Sequence, residues 1–209
     1  MKMGTISTLF LSIILFANFA FSRVENGNSD FTGLGFLLGT EKDDAVKIIK
    51  SDRREILENS VDSKEIRTIV VEGAFVELPF NINNTDLKTR LEFYDDKLMS
   101  SSLILKPNDE SDQAKLGADL TGLLISLYGE PGRKEEMLQF VTWTWQRSDV
   151  TVILSANLEN GMMKVENIYV PVNQARKDEE FEDSQKEKSN PAKEMFLDGT
   201  YSKPTQYRR

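Results

Sequence analysis

The sequence predicts an α+β fold. Two layers are expected, with antiparallel β-meander sheets carrying helices on one face and a helix-plus-meander plan that runs twice. Three observations carry this expectation. Residues 108–156 read as one amphipathic helix, a sharp stop, and then aromatic-rich strands. The chain before them holds a shorter helix pattern followed by period-2 segments in quick succession. Strand patterns separated by short turns fit antiparallel meanders, and such sheets bury one face against helices.

Leu116, Leu120, Leu123, Leu124 and Leu127 recur at helical spacing and form one apolar face. Asn108 is a suitable N-cap, and Asp109, Glu110 and Asp112 suit the positive end of the helix dipole. Gly117 and Gly122 each weaken the helix by about 1 kcal/mol relative to Ala, and they allow close approach to a sheet. The stop is Tyr128-Gly129-Glu130-Pro131-Gly132, where Gly129 can turn left-handed and Pro131 blocks resumption. Val141, Trp143 and Trp145 then alternate with Thr142 and Thr144 as in a half-buried strand. A second strand runs from Val150 to Ala156 after the turn Arg147-Ser148-Asp149. Asn160-Gly161 signals another turn, and Met163–Val170 a third strand with a bulge near Glu166-Asn167.

At the other end, Lys2, the apolar run Leu9–Ala20 and the small residues of Ala20-Phe21-Ser22 read as a secretory signal peptide over 1–22. An uncleaved anchor is the rival reading. No other segment is apolar enough to cross a membrane. An α+β domain is expected over 23–172, in halves of about 31–106 and 107–172. Residues 23–31 are polar. Phe31–Leu38 is a glycine-punctuated packed turn, whose spacing does not match a dinucleotide-binding loop. It feeds a helix capped by Thr40 and buried through Ala45, Ile48 and Ile49. Ser51–Ser63 admits a second helix around Arg54–Asn59. Strands are expected at Ile66–Val71, Phe75–Phe80, Leu87–Tyr94 and Leu98–Leu105, with Pro79 placing its strand at an edge. Asn83-Asn84-Thr85 forms a glycosylation sequon, relevant only in a eukaryotic secretory pathway. Residues 173–209 form a charged tail, nearly free of apolar residues to Lys193. Disorder or a solvated helix is expected there, then an apolar and aromatic cluster from Met195 to Tyr207.

The formal net charge is −8. Acids and bases cancel beyond Asn173, so the negative charge belongs to the folded part. That argues against nucleic acid and anionic lipid as partners. The chain has no His and no Cys. It therefore cannot carry a Ser-His-Asp triad, a cysteine nucleophile, a His/Cys zinc site or a redox dithiol. No cofactor, metal or catalytic residue is expected. The acid clusters Asp43-Asp44, Asp95-Asp96 and Asp109-Glu110 with Asp112 read most simply as cap and hairpin chemistry. Trp143 and Trp145 could make a binding platform, but the leucine face offers them a core. Phe140, Thr142 and Thr144, on the other face of that strand, are the expected contact surface.

The helix with Leu120 and Leu124, the stop Tyr128-Gly129-Glu130-Pro131 and the Trp143 strand resemble the small extracytoplasmic domains of the BamE (SmpA/OmlA) and β-lactamase-inhibitor-like group. Gly39-Thr40 with Val46 is a fainter echo. The chain departs from that pattern in having no lipobox cysteine and a longer first meander. The resemblance implies a bacterial envelope location and protein contact through the sheet, and it carries over no residue-level site. The expected function is that of an exported, non-enzymatic envelope protein, periplasmic or secreted, with an envelope or extracellular protein as partner. A carboxylate- or calcium-dependent secreted hydrolase and a secreted enzyme inhibitor are the alternatives.

Overall fold

Why one face of each predicted strand is apolar becomes plain in the sheet. The structure, a computed structural model, describes residues 32–188. The expected signal peptide and the Met195–Tyr207 cluster lie outside them. The described chain begins with a hairpin of β1 (Thr32–Gly33) and β2 (Phe36–Leu37), then α1 (Lys42–Ser51). Strands β3 (Ile56–Val61), β4 (Arg67–Glu72), β5 (Thr85–Tyr94) and β6 (Lys97–Pro107) follow. Helix α2 (Glu110–Tyr128) leads to β7 (Arg133–Met137), β8 (Phe140–Gln146), β9 (Val150–Asn157) and β10 (Met163–Tyr169), and α3 (Val170–Lys188) comes last. The fold is α+β, as expected from the sequence.

β3 to β10 form a single eight-stranded antiparallel sheet in the order β3-β4-β5-β6-β10-β9-β8-β7. Each run of four strands is a meander. The second folds back so that its last strand pairs with the last strand of the first. Registered neighbours Ile69, Leu91 and Ser101 share a face with Asn167 and Val152. On that face lie Val71, Phe93, Leu103, Leu105, Val165 and Leu154, which join Ala45 and Ile49 of α1 and Leu116, Leu120 and Leu124 of α2 in one core. Both helices therefore pack on the same face. The hairpin adds Leu34, Phe36 and Leu38 to this core, and Phe75, Val76, Leu78, Phe80 and Ile82 pack against it.

Several expectations are corrected. Phe75–Phe80 is not a strand. With apolar residues on consecutive positions and Pro79 in their midst, the segment crosses the core as irregular chain, Phe36 meeting Phe75 edge-on at 4.7 Å between ring centroids. The segment expected to be helical around Arg54–Asn59 is instead the edge strand β3, paired through Asn59 opposite Ile69 and Ser60 opposite Thr68. β7, of sequence RKEEM, is the other edge and was not expected. No residue of either edge strand is buried, so neither carries the alternation that marks a strand in sequence. The bulge expected near Glu166-Asn167 is absent. β10 keeps its register, and the slip in its pattern is a polar Asn167 pointing into the core, 3% exposed. Bulges fall instead between Ile56 and Glu58 and between Glu92 and Phe93.

The helix ends also shift. The N-caps are Glu41 and Asp109, neither with a side-chain cap bond, in place of Thr40 and Asn108. The amide of Asn108 donates to Asn84 O, and Thr40 O accepts from Leu98, so both flank the helices by holding neighbouring chain. Asp95 and Asp96 make the β5–β6 turn, both with positive φ. Lys42 of α1 donates to Asp96 at 2.6 Å, which holds the Asp96 carboxyl below its ordinary range and ties helix to hairpin.

The chain divides into two compact units after Val172. The charged tail, expected to be disordered from Asn173 with a solvated helix as the other reading, is helical as far as Lys188, the last described residue. Arg176 pairs with Glu180 at 2.8 Å and Gln174 with Asp178 at 2.7 Å, the i,i+4 links that support an exposed helix. None of the described helices is long and apolar enough to cross a membrane.

The leucine face gives a direct test. Leu120 is 1% exposed, whereas Leu123 is half-buried. Leu120→Ala should lower unfolding stability by about 2–5 kcal/mol, and Leu123→Ala by clearly less, read from midpoints of urea denaturation with unchanged slope.

Candidate functional site

β8 runs between the two faces of the sheet and decides which side chains each one presents. Its alternation sends Val141, Trp143 and Trp145 toward α2, and Phe140, Thr142 and Thr144 away from it. Trp145 is buried at 2%, and its Nε1 donates to Gly129 O at 2.8 Å. This indole bond, with Arg147 donating to Tyr128 O at 2.8 Å, holds the last carbonyls of α2 after Gly129 turns away at φ +78°. Trp145 is thus a core residue. Trp143 is only half-buried, with the Lys134 ammonium 5.7 Å from its ring centroid.

The three expected contact residues share the opposite face. Phe140 is 44% exposed beside Met137, while Thr142 and Thr144 are half-buried. Thr142 stands opposite Glu135 on β7 and Ser155 on β9, and Thr144 opposite Arg133 and Ile153. They therefore form one end of a polar face that continues toward the centre of the sheet.

That centre was not legible as a site. On β6, Ser100 and Ser102 point to the polar face and are almost fully buried. Ser100 donates to Glu92 at 3.0 Å, and Ser102 to Glu166 at 3.4 Å. Arg90 pairs with Glu92 at 2.7 Å, and Lys164 with Glu166 at 2.8 Å. Each carboxylate is thus held by one cation and one hydroxyl on the strand beside it. The run Ser100-Ser101-Ser102 inside an otherwise apolar strand was the available signal. Two small hydroxyl side chains leave room there for the longer acids of the flanking strands.

The acid clusters singled out in the sequence take separate local roles. Asp44 pairs with Lys47 in the first turns of α1 at 2.7 Å, Asp96 with Lys42, and Asp109 occupies the N-cap position of α2 without a side-chain cap bond. Among the described residues no three acidic side chains converge as a metal ion would need. Comparisons with protein families, with curated proteins and with solved structures return no match.

The stop motif makes a measurable prediction. Burial pushes the Tyr128 hydroxyl up to about 12, against an ordinary value of 10.0. Unfolded chain ionises this group first as pH rises. The stabilisation from Tyr128 is therefore complete below pH 10 and should be lost as pH climbs from 10 toward 12. Chemical denaturation across that range should show the decline, and Tyr128→Phe should flatten it.

Proposed function

We propose that the protein is an exported, non-enzymatic envelope protein that binds a protein or ligand through the sheet face opposite α1 and α2. One observation carries the reading. The sheet spends its apolar residues on the helix face, and the face left over spans eight strands of hydroxyl, charged and scattered apolar side chains. Such a face is broad enough for an ordinary protein interface, since eight strands at about 4.8 Å spacing span about 34 Å between the outer strands. Phe140 offers an exposed aromatic anchor at one end, and Thr142 and Thr144 offer small hydroxyls beside it.

A non-enzymatic role is favoured by the state of the half-buried acids. Glu92 and Glu166 are each already engaged by a cation and a serine. The apolar run Leu9–Ala20 and the resemblance to BamE-type domains support export to a bacterial envelope, and the net charge of −8 supports a partner other than nucleic acid.

Two measurements test this. Cell fractionation should find the chain outside the cytoplasm and shortened at its N-terminus; a full-length cytoplasmic form would sink the export claim. A photocrosslinking residue placed at Thr142 or Thr144 should give a discrete adduct in the native envelope, and one placed at the exposed Lys115 of α2 should give none. Adducts from Lys115 alone would move the interface to the helix layer.

A further inference from the structure

The helix face holds a feature that the sheet-face reading does not use. Between α2 and strands β8 and β9 lies an open groove of about 550 Å3. Trp143 forms one wall, Leu154, Ala156 and Met163 line the base, and α2 contributes Ala118 and Gly122. Its volume lies within the range of about 300–1,000 Å3 typical of small-ligand sites.

Two residues stand out along the groove, although Trp143 also packs against the core. Trp143 is half-exposed in a row whose neighbours are buried, with Val141 at 8%, Trp145 at 2% and Leu154 at 1%. Gly122 sits in the middle of α2, where glycine weakens a helix. Two other glycines have a reason in the fold. Gly129 needs a positive φ, and a Cβ on Gly161 would collide with Gln113. Gly122 has no positive φ, and a Cβ there would meet nothing within 4 Å. It lines the groove from the helix side, as Trp143 does from the sheet side.

Most polar groups of the groove gather toward one end, with Thr121 apart from them farther along α2. Its only charged lining residue is Glu110, one turn before Gln113 on α2, and Asn157 adds a further amide from the end of β9. Gln113 lies against Gly161 of the β9–β10 loop, so the polar end faces that loop. An apolar trough with a carboxylate at one end complements a molecule with an apolar body and a positive head.

We propose that this groove binds an elongated apolar molecule ending in a protonated amine. The hydrocarbon lies along Trp143, Leu154 and the Gly122 flank, and the ammonium donates to Glu110. Gln113 supplies an amide oxygen for a remaining N–H group, while the Asn157 oxygen is held by the amides of Glu159 and Asn160. The site is independent of the sheet-face reading and stands or falls alone.

The test uses the full chain and three probes of equal chain length below their aggregation limits: dodecylamine, dodecanol and dodecanoate. Trp143 and Trp145 are the chain's two tryptophans, so intrinsic fluorescence reports on this region directly. Dodecylamine should bind saturably and about tenfold or more tighter than dodecanoate. Gly122→Leu should weaken dodecylamine binding by about tenfold or more. The same variant should raise Tm by about 2–4 °C through its better helix former, so lost binding cannot be lost folding. Glu110→Gln should leave dodecanol binding intact and remove the preference for the amine. Equal or tighter binding of dodecanoate, no saturable binding of dodecylamine, or unchanged affinity in Gly122→Leu would each overturn the proposal.

Discussion

Everything in this domain depends on the pairing of β6 with β10. Each meander alone would be four strands with one helix over them, half a core, and an inner strand with unpaired backbone groups. The β6–β10 ladder joins them, running from Met163 opposite Leu105 to Ile168 opposite Ser100. It makes one sheet of two and lets Leu103 and Leu105 share a core with Val165 and Met163. The seam is not simply apolar. Ser101 and Asn167 face each other across it on the core side at 0% and 3% exposure, and Asn167 Oδ1 has no hydrogen-bond partner. An unpaired buried acceptor costs about 1–3 kcal/mol, so the apolar pairs around it must hold the register. They can, because a slip of one residue would turn Lys164 and Glu166 into the core and lift Met163 and Val165 out of it.

With the seam fixed, the two sheet faces become different materials. Helices α1 and α2, the 32–38 hairpin and the irregular 74–82 segment all lie against one face, and the other receives what alternation leaves over. The outer edges are β3 and β7. β7 carries the ion pairs Lys134–Glu136 and Arg133–Glu135 along an edge that could otherwise pair with another chain. Charged side chains on an edge strand discourage that pairing.

The same logic separates what was legible in the sequence from what was not. Strands with one buried face announced themselves, because burial imposes the period of two; β4, β5, β8, β9 and β10 belong to this set, while β6, buried on both faces, was readable from its apolar run. The edge strands bury nothing and left no such trace, and Phe75–Phe80 imitated a strand because it is apolar for a different reason, as a cover over the core. The leucine face of α2 was readable, its N-cap was not, since the cap is set by the contact of Asn108 with Asn84 across the fold. Of the site, the direction in which Phe140, Thr142 and Thr144 point followed from alternation. The Glu92–Ser100 and Ser102–Glu166 contacts did not, because they depend on which strands become neighbours, and Ser102 and Glu166 are 64 positions apart in the chain.

β8 links the two candidate surfaces and also keeps them apart. It is held by seven registered pairs to β9 and five to β7, so it is a stiff element between them. Trp143 on one side and Thr142 and Thr144 on the other are adjacent in sequence, yet they stand opposite different neighbours: Lys134 and Leu154 for Trp143, Glu135 and Ser155 for Thr142. A molecule in the groove would press on the first set and a partner on the sheet face on the second. Since the strand between them has one register and no bulge, neither needs the other to form. Gly122 fits this separation. It opens the groove from the helix side, leaving the sheet that carries the other face unaltered.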